Sequence, residues 1–320
     1  MNSRSLLPLL GSFLCAATFA ADRPQALPMQ VHDLATPFVQ VWDRNAGKTD
    51  ADFVQDFKAS LGSRFPAFYD AKRFEGWRTP AQHDAEIAKA RAEFPAMRAA
   101  YLKKVTRFSQ DLPGHIASFR MAFPDYPAKT DIWFLHSLGE MDGGTRTFDG
   151  KTYFIFGADA MVKYHGDGDE AAFFHHELFH DYHDTGCKSE PVWTSLWGEG
   201  LATYVAKRMN PSANNSELLL DIPRNLVADT QKHLGRAFED LHGKLESEDR
   251  TVYAGLFQGR GGDGTDLPAR RGYYLGYLVA EEIGKEMSMQ QMAKLDCQAA
   301  HTAVVGAVEK LRAVHAVAGK

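Results

Sequence analysis

The segment Phe173–His183 reads FFHHELFHDYH and holds four histidines in eleven residues. Within it, HELFH (176–180) matches the pattern HExxH. Residues four apart lie one turn apart on the same face of an α-helix, so two imidazoles at that spacing can bind one zinc ion. A glutamate next to the first histidine points beside the ion and can take a proton from its bound water. The pattern therefore predicts a helix with His176 and His180 as metal ligands and Glu177 as general base.

The other two histidines of this segment fit the pattern less well. His175 is followed by a histidine and points about 100° away from His176, so we expect it to pack or to support a ligand. His183 shares the ligand face but lies about 10.5 Å along the helix axis from His176. Three ligands along one straight helix fit a tetrahedral site badly. The pattern HExxHxxGxxH is also disfavoured, because His183 occupies its glycine position.

A third ligand is expected from a second helix. Gly186 marks the predicted end of the first helix, and WTSLWGEGLATYVAKR (193–208) reads as the next one. Glu199 lies there, 18 residues separating it from His180. Two histidines and one carboxylate would leave a fourth position for water, as catalytic zinc requires. If Glu199 is not a ligand, His183 and Asp184 are the alternatives.

HELFH together with WGEGLATY resembles the gluzincin superfamily of zinc peptidases. The spacing is similar to that of aminopeptidase N-type catalytic cores, where a W-L-N-E-G-x-A segment carries the glutamate ligand, and the size is similar to that of small predicted bacterial zinc proteases. The resemblance covers about residues 151–285 and is most specific over 176–204. It implies Zn²⁺ held by His176, His180 and Glu199, with Glu177 as general base. These ligand types with an open position also favour zinc over iron or copper.

The resemblance also implies a fold. We expect an α+β protein in which a zincin-like catalytic domain contains a small sheet and two zinc-bearing helices, with mostly helical N-terminal and C-terminal parts. The predicted divisions are a signal peptide (1–20), a helical N-terminal region (21–114) and a gluzincin-like catalytic region (115–320).

Two features depart from the family pattern. Thermolysin-like members place an aspartate four residues after the glutamate ligand, where this chain has Thr203, so we expect histidine support from Asp181 or Asp184. The Gly-x-Met-Glu-Asn motif of aminopeptidases is replaced by GADAM (157–161), which lacks the glutamate that holds a substrate's amino terminus. KTYFIFGA (151–158) still has the character of an edge strand that pairs with an extended peptide.

The family also uses a tyrosine or histidine to stabilise the oxyanion. In the aminopeptidase group it is the tyrosine of Y-x-K-G. Tyr273-Tyr274-Leu275-Gly276 keeps the Tyr-to-Gly spacing, with leucine in place of lysine. The resemblance implies Tyr273 as a catalytic residue, with Tyr274 as the alternative and core packing as the competing interpretation. Arg270 and Arg271 are either substrate-carboxylate contacts or surface charges at a helix end.

The first twenty residues have the three parts of a secretory signal peptide: Arg4, an apolar run over 6–19 and small residues before Ala21. We therefore expect an exported protein, periplasmic or secreted, with an uncleaved anchor as the alternative. Removal of the signal leaves Cys187 and Cys297. In an oxidising compartment these two can pair, or they can remain buried thiols.

Composition limits the class of partner. The chain has 320 residues, 44% of them hydrophobic, and a net charge of −5. A folded protein with an ample core is expected, and binding to nucleic acid is not. No second apolar stretch approaches the length of a membrane span, so no stable span is expected after signal removal. The oligomeric state is left open.

Local sequence patterns predict further helices and strands. Thr36-Pro37 and Thr79-Pro80 read as helix starts, and Pro95 reads as a helix break. Phe53, Phe57 and Leu61 share one helix face. Segments 131–138 and 151–158 read as neighbouring strands separated by turn residues, and another helix is expected from Arg270.

The predicted function is hydrolysis of peptide bonds in peptide or protein substrates by an exported zinc metallopeptidase. One alternative is a zinc-dependent amidohydrolase acting on cell-wall peptides or other amides. Another is a non-catalytic zinc-containing binding protein, which Glu177 argues against, because a pure metal binder needs no base.

Overall fold

A computed structural model describes residues 29–128, 130–259 and 263–316, so the predicted signal peptide lies outside the described residues. The fold there is α+β, with helices around one mixed sheet. The strands are β1 (Val31–Asp33), β2 (Ile132–Leu135), β3 (Gly143–Phe148) and β4 (Lys151–Gly157). Their order in the sheet is β1-β2-β4-β3. The first three strands in this order are parallel, and β3 is antiparallel to β4.

The helices, in chain order, are α1 (Ala35–Arg44), α2 (Asp50–Phe57), α3 (Pro66–Tyr69), α4 (Pro80–Ala122), α5 (Ala158–His165), α6 (Ala171–Tyr182), α7 (Val192–Met209), α8 (Leu226–Gln231), α9 (Leu234–His242), α10 (Arg250–Tyr253), α11 (Arg271–Ile283), α12 (Met289–Met292) and α13 (Cys297–Ala316). Two π-helical turns (Lys58–Gly62 and Ala254–Gln258) and a 3-10 turn (Ala71–Phe74) extend the set.

The long helix α4 shows where local signals succeed and where they fail. Its start is the predicted one: Thr79 caps it, and Gln82 completes a capping box. The break predicted at Pro95 is wrong, because α4 continues for 43 residues with Pro95 and Pro113 inside it. Side chains beyond Pro95, such as Phe108 and Ile116, are buried in the same core as Phe94. Burial along the whole length therefore offsets the hydrogen bonds that the prolines cannot donate.

The strand β3 was not predicted, because its residues were interpreted as a turn between two strands. It is joined to β4 by Asp149 and Gly150, which both have positive φ (48° and 75°), as a two-residue hairpin turn requires. β4 is therefore an interior strand, and its prediction as the edge strand is wrong. β3 occupies that edge, and the described residues add no strand to its outer side.

The N-terminal region contributes to the sheet as well as to the helices. β1 pairs with β2, and one continuous core includes Phe38, Phe108 and Phe134. The predicted boundary between residues 114 and 115 falls inside α4. Phe53, Phe57 and Leu61 are all buried, as their spacing predicted.

A disulfide joins Cys187 to Cys297, whose Cα atoms lie 5.1 Å apart. Of the two alternatives that the sequence left open, a disulfide or two buried thiols, the disulfide is the one present. It ties the segment between α6 and α7 to the first residue of α13. Among the helices of the described ranges, none has the length and apolarity to cross a bilayer.

Candidate metal centre

The predicted metal-binding residues lie on two packed helices, α6 and α7. The N-terminus of α6 is held by Asp169, whose carboxylate accepts from the N–H of Ala171 at 2.9 Å. The helix ends at Tyr182, four residues before Gly186, because His183 has an extended backbone (φ −93°, ψ 124°). His183 is therefore outside the helix. α7 begins at Val192 and carries Glu199 near its middle.

Three donor atoms converge between these helices. Nε2 of His176 and Nε2 of His180 are each 3.3 Å from Oε2 of Glu199, and the two nitrogens are 2.9 Å apart. Donors at about 2.0–2.1 Å from a tetrahedral zinc ion lie roughly 3.3 Å from one another. The residues thus fit a zinc ion held by two imidazoles and one carboxylate. In the described ranges, this is the one group of three or more such donors.

The ionisation of Glu199 and His180 shows how the triad can balance a bound cation. Burial opposes ionisation of Glu199, but the positive charge on His180 and hydrogen bonds from both imidazoles hold the pKa of this carboxyl well below its ordinary value. Burial likewise opposes a charged His180, but Glu199 raises its pKa to about 9. A proton on His180 thus supplies the positive charge that a bound metal ion would supply.

Glu177 lies beside the triad, under strand β3. Its side chain is 7% exposed. A Cβ atom at Gly143 would lie 3.1 Å from Cγ of Glu177 and 2.6 Å from Cζ of Phe173, so the bare backbone of β3 packs directly over the carboxyl group. Burial raises the pKa of Glu177 to about 8, with Asp142 and Glu199 adding to the effect and His180 opposing it. The carboxylate is therefore a good proton acceptor.

A hydroxyl group supports the first histidine. Oγ1 of Thr203 is 3.4 Å from Nδ1 of His176 and donates to the backbone carbonyl of Glu199 at 2.8 Å. The expected support from Asp181 or Asp184 is not found. Asp181 accepts from the hydroxyl of Tyr126 at 2.7 Å, and Asp184 accepts from the N–H of Gly186 at 2.7 Å.

The remaining histidines of the segment have other surroundings. His175 is buried on the opposite side of α6, with Nε2 2.7 Å from Oγ of Ser118 and Nδ1 accepting from the amide of Asn210 at 2.8 Å. These bonds connect α6 to α4 and to the end of α7, which agrees with the packing role that we predicted. His183 stacks on Phe179, with ring centres 4.9 Å apart, and takes no part in the triad.

The two predicted tyrosines face different sides of α11. Burial raises the pKa of Tyr273 well above its ordinary value, and the negative charge of Glu199 adds to this. The hydroxyl of Tyr274 instead accepts from the amide of Gln231 at 2.9 Å, and its ring packs with Leu218 and Leu220. Of the two, Tyr273 is the one whose pKa is affected by Glu199, and its helix contacts α7 at Gly200, next to Glu199.

A third tyrosine, Tyr253, is linked to Tyr273 by aromatic packing and was not predicted from the sequence. Burial raises the pKa of Tyr253, again with a contribution from Glu199. Its ring is 5.3 Å from that of Phe257, which is in turn 5.8 Å from Tyr273. Tyr253 belongs to α10 and lies far from the motif residues along the chain, so no local signal pointed to it.

Two glycines bring α11 against α7. A Cβ atom at Gly200 would lie 2.2 Å from the carbonyl carbon of Gly276. The glycine directly after Glu199 and the glycine three residues after Tyr273 thus form the contact between the two helices. Gly200 belongs to the WGEGLATY segment and Gly276 to the Tyr-Tyr-Leu-Gly segment. Both glycines were therefore visible in the sequence, but their contact was not predicted.

The arginines at the start of α11 differ in role. Arg271 is 0% exposed and donates to Asp240 at 2.6 Å and to Asp263. Both predicted alternatives, a substrate contact and a surface charge, are wrong for Arg271. Arg270 lies over the ring of Tyr273, 4.5 Å from its centre, and donates to the carbonyl of Ile222 at 3.1 Å.

A cavity of about 710 Å³ borders the N-terminal half of α7. Its lining includes Ser195, one turn before Glu199, and Tyr253. The disulfide residue Cys187 also forms part of the wall. The side chains of the triad and of Glu177 do not line this cavity, which lies at the start of α7 next to the disulfide.

Comparison of the chain with protein-family models, with curated proteins and with solved structures found no match. The case for a function consequently depends on the geometry and chemistry of the metal centre itself.

Proposed function

We propose that this protein is a zinc-dependent peptidase of the gluzincin type. The observation that supports it most is the convergence of His176, His180 and Glu199 with a separate buried carboxyl group, Glu177, beside them. A site that only stored metal would not need the fourth group. A bound zinc ion would supply a Lewis acid and lower the pKa of its water toward neutrality.

Residues of the chain would then transfer the protons and stabilise the oxyanion. Glu177 accepts a proton from the attacking water and returns it to the leaving amine, which its raised proton affinity supports. The hydroxyl of Tyr273 donates to the oxyanion that develops on the carbonyl oxygen. Tyr253 is the second candidate for that role, because its ring packs on Phe257, which in turn contacts Tyr273.

The free edge of β3 supports a peptide as substrate. This strand passes directly over Glu177 at Gly143, and its outer side pairs with no other described strand. An extended peptide adding to that edge would place its backbone carbonyl groups along the catalytic side chains.

Export is part of the same proposal. The signal-like N-terminus supports it, and so does the disulfide between Cys187 and Cys297, since such bonds persist mainly in oxidising compartments.

The test starts with the chain from Ala21 onward. Elemental analysis should find about one zinc ion per chain, with large losses in His180→Ala and in Glu199→Ala. Incubation with a peptide library should give cleavage that a chelator abolishes. Glu177→Gln should keep the zinc and lower turnover by about 10²–10⁴-fold, the usual effect of losing a positioned acid–base group.

The matched control is Glu93→Gln, an exposed glutamate of α4, which should leave turnover at the wild-type value. Hydrolysis at the wild-type rate in Glu177→Gln would contradict the proposed mechanism. Full zinc content in Glu199→Ala would remove Glu199 from the ligand set and return attention to His183 and Asp184.

A further inference from the structure

The edge strand β3 carries an exposed arginine, Arg146, beside the metal centre. Its Nη1 donates to the carbonyl of the neighbouring Thr145 at 2.8 Å. Among the described residues, no carboxylate lies within 4.0 Å of its guanidinium, so the positive charge is not neutralised by an ion pair. An arginine in this state is available to a ligand.

The guanidinium turns back along the strand toward Glu177. The position that a Cβ atom would take at Gly144 is 3.5 Å from Oε2 of Glu177 and 3.6 Å from Nη1 of Arg146. Gly144 has φ +128°, a conformation that other residues rarely adopt, so this position is kept free of a side chain. A gap about the size of one methyl group therefore lies between the carboxyl group of Glu177 and the guanidinium of Arg146, with Met141 at a third side.

The distances limit what can bridge this gap. An extended peptide advances about 3.3 Å per residue, so the guanidinium is reached within about two residues of a bond that is attacked near Glu177. Guanidinium groups bind carboxylates through two parallel hydrogen bonds, which gives both strength and orientation. The complementary group on a peptide is therefore a carboxylate close to the scissile bond.

We propose that Arg146 binds a substrate carboxylate located within about two residues of the cleaved bond. This inference depends on the proposed peptidase function and specifies its substrate class. The carboxylate comes from one of two sources, the C-terminus of a short peptide or the side chain of an aspartate or glutamate.

The first experiment compares hydrolysis of paired peptides by the zinc-loaded protein. One pair differs only in having a C-terminal acid or a C-terminal amide, and the second differs only in Glu or Gln beside the cleaved bond. The wild type should prefer the carboxylate member of at least one pair by about tenfold in kcat/KM, a moderate value because the site is partly open to solvent. Arg146→Gln should reduce that ratio to about one.

The pair that shows the preference identifies the source of the carboxylate. Arg208→Gln, which changes an exposed arginine in the last turn of α7, should keep the wild-type ratio. Equal hydrolysis within both pairs by the wild type, or an unchanged ratio in Arg146→Gln, would overturn the inference while leaving the peptidase function intact.

The second experiment measures binding without turnover. Glu177→Gln and the double variant Glu177→Gln/Arg146→Gln, both loaded with zinc, are titrated calorimetrically with the same peptides. The single variant should bind the carboxylate member about tenfold more tightly, and the double variant should not discriminate. Discrimination without any hydrolysis by the wild type would support Arg146 as an anchor and contradict the peptidase function. Equal affinities in the single variant would overturn the inference.

Discussion

Replacing Gly200 by alanine tests whether the contact between α7 and α11 holds the metal centre together. Gly200 follows Glu199, a proposed ligand, and lies against Gly276 of α11. An added Cβ atom would lie 2.2 Å from the carbonyl carbon of Gly276 and 2.3 Å from its oxygen, whereas ordinary contacts begin at 3.4 Å. Because both neighbours are backbone atoms, no change of rotamer can relieve the overlap.

The two helices must therefore separate by about 1 Å or more. Overpacking of this kind usually costs about 1–3 kcal/mol and occasionally more, and the higher helix propensity of alanine returns up to about 1 kcal/mol. We expect Gly200→Ala to lower the free energy of unfolding by about 3 kcal/mol, near the upper end of this range, because the contact is made entirely by backbone atoms. For a chain of 320 residues, that corresponds to a fall in Tm of about 4–5 °C.

Turnover should decrease as well, at temperatures where the variant is folded. Moving α11 by about 1 Å displaces Tyr273 from the triad, and a misplacement of that size can cost about 10²-fold. Zinc content should change less than turnover, since all three ligands lie on α6 and α7.

Gly198→Ala is the control on the same helix. A Cβ atom there would meet nothing within 4 Å, so this variant should be more stable than the wild type by about 0.5–1 kcal/mol. The assay is thermal unfolding of both variants, followed by kcat at a common temperature. Equal Tm values for the two variants would refute the packing argument, and an unchanged kcat in a destabilised Gly200→Ala would refute the role of α11 in placing Tyr273.

Three further predictions follow from the described contacts. Changing both Cys187 and Cys297 to serine should lower the free energy of unfolding by up to about 4.7 kcal/mol, because the bond closes a separation of 110 residues; an unchanged urea midpoint would exclude this contribution. Tyr273→Phe should keep the zinc and lower kcat by about 10²–10³-fold, whereas a larger loss in Tyr253→Phe would transfer the oxyanion role to that residue. Burial lowers the pKa of His83, so the unfolded chain takes up a proton below about pH 6.5 that the folded chain does not. Unfolding of the chelator-treated protein should accordingly become easier as pH falls through 6.5, and His83→Gln should reduce this slope in denaturant titrations.

The parts of the site that could be predicted from sequence are those set by helix periodicity. His176 and His180 are four residues apart, and the helix alone brings their Nε2 atoms to 2.9 Å. Thr79 is similarly a local signal, since its side chain and that of Gln82 complete the cap within one turn. The prediction of Glu199 needed more than helix periodicity, because its distance from the two histidines depends on the length of the connection between α6 and α7. Its spacing from His180 supplied that information.

The remaining features depend on contacts between distant segments. Pro95 looked like a helix break because its local cost is visible in the sequence, whereas the burial that offsets it is not. Tyr253 is connected to Tyr273 only through packing of both rings on Phe257, which the sequence does not show. The strand β3 is an intermediate case: its glycines resembled a turn, although Asp149-Gly150 was a readable hairpin signal.

The arrangement of charge argues for a catalytic function over a structural one. Glu177 and Glu199 are held in the same enclosed region, and the buried Glu177 has a pKa of about 8. Two carboxyl groups in one place destabilise a fold unless a cation compensates them, and a structural core would be better served by apolar side chains. The positive charge on His180 favours ionisation of both carboxyl groups, but burial still raises the pKa of Glu177 to about 8. A bound zinc ion would compensate both, and it would leave Glu177 ionised next to the open coordination position, where a general base is required.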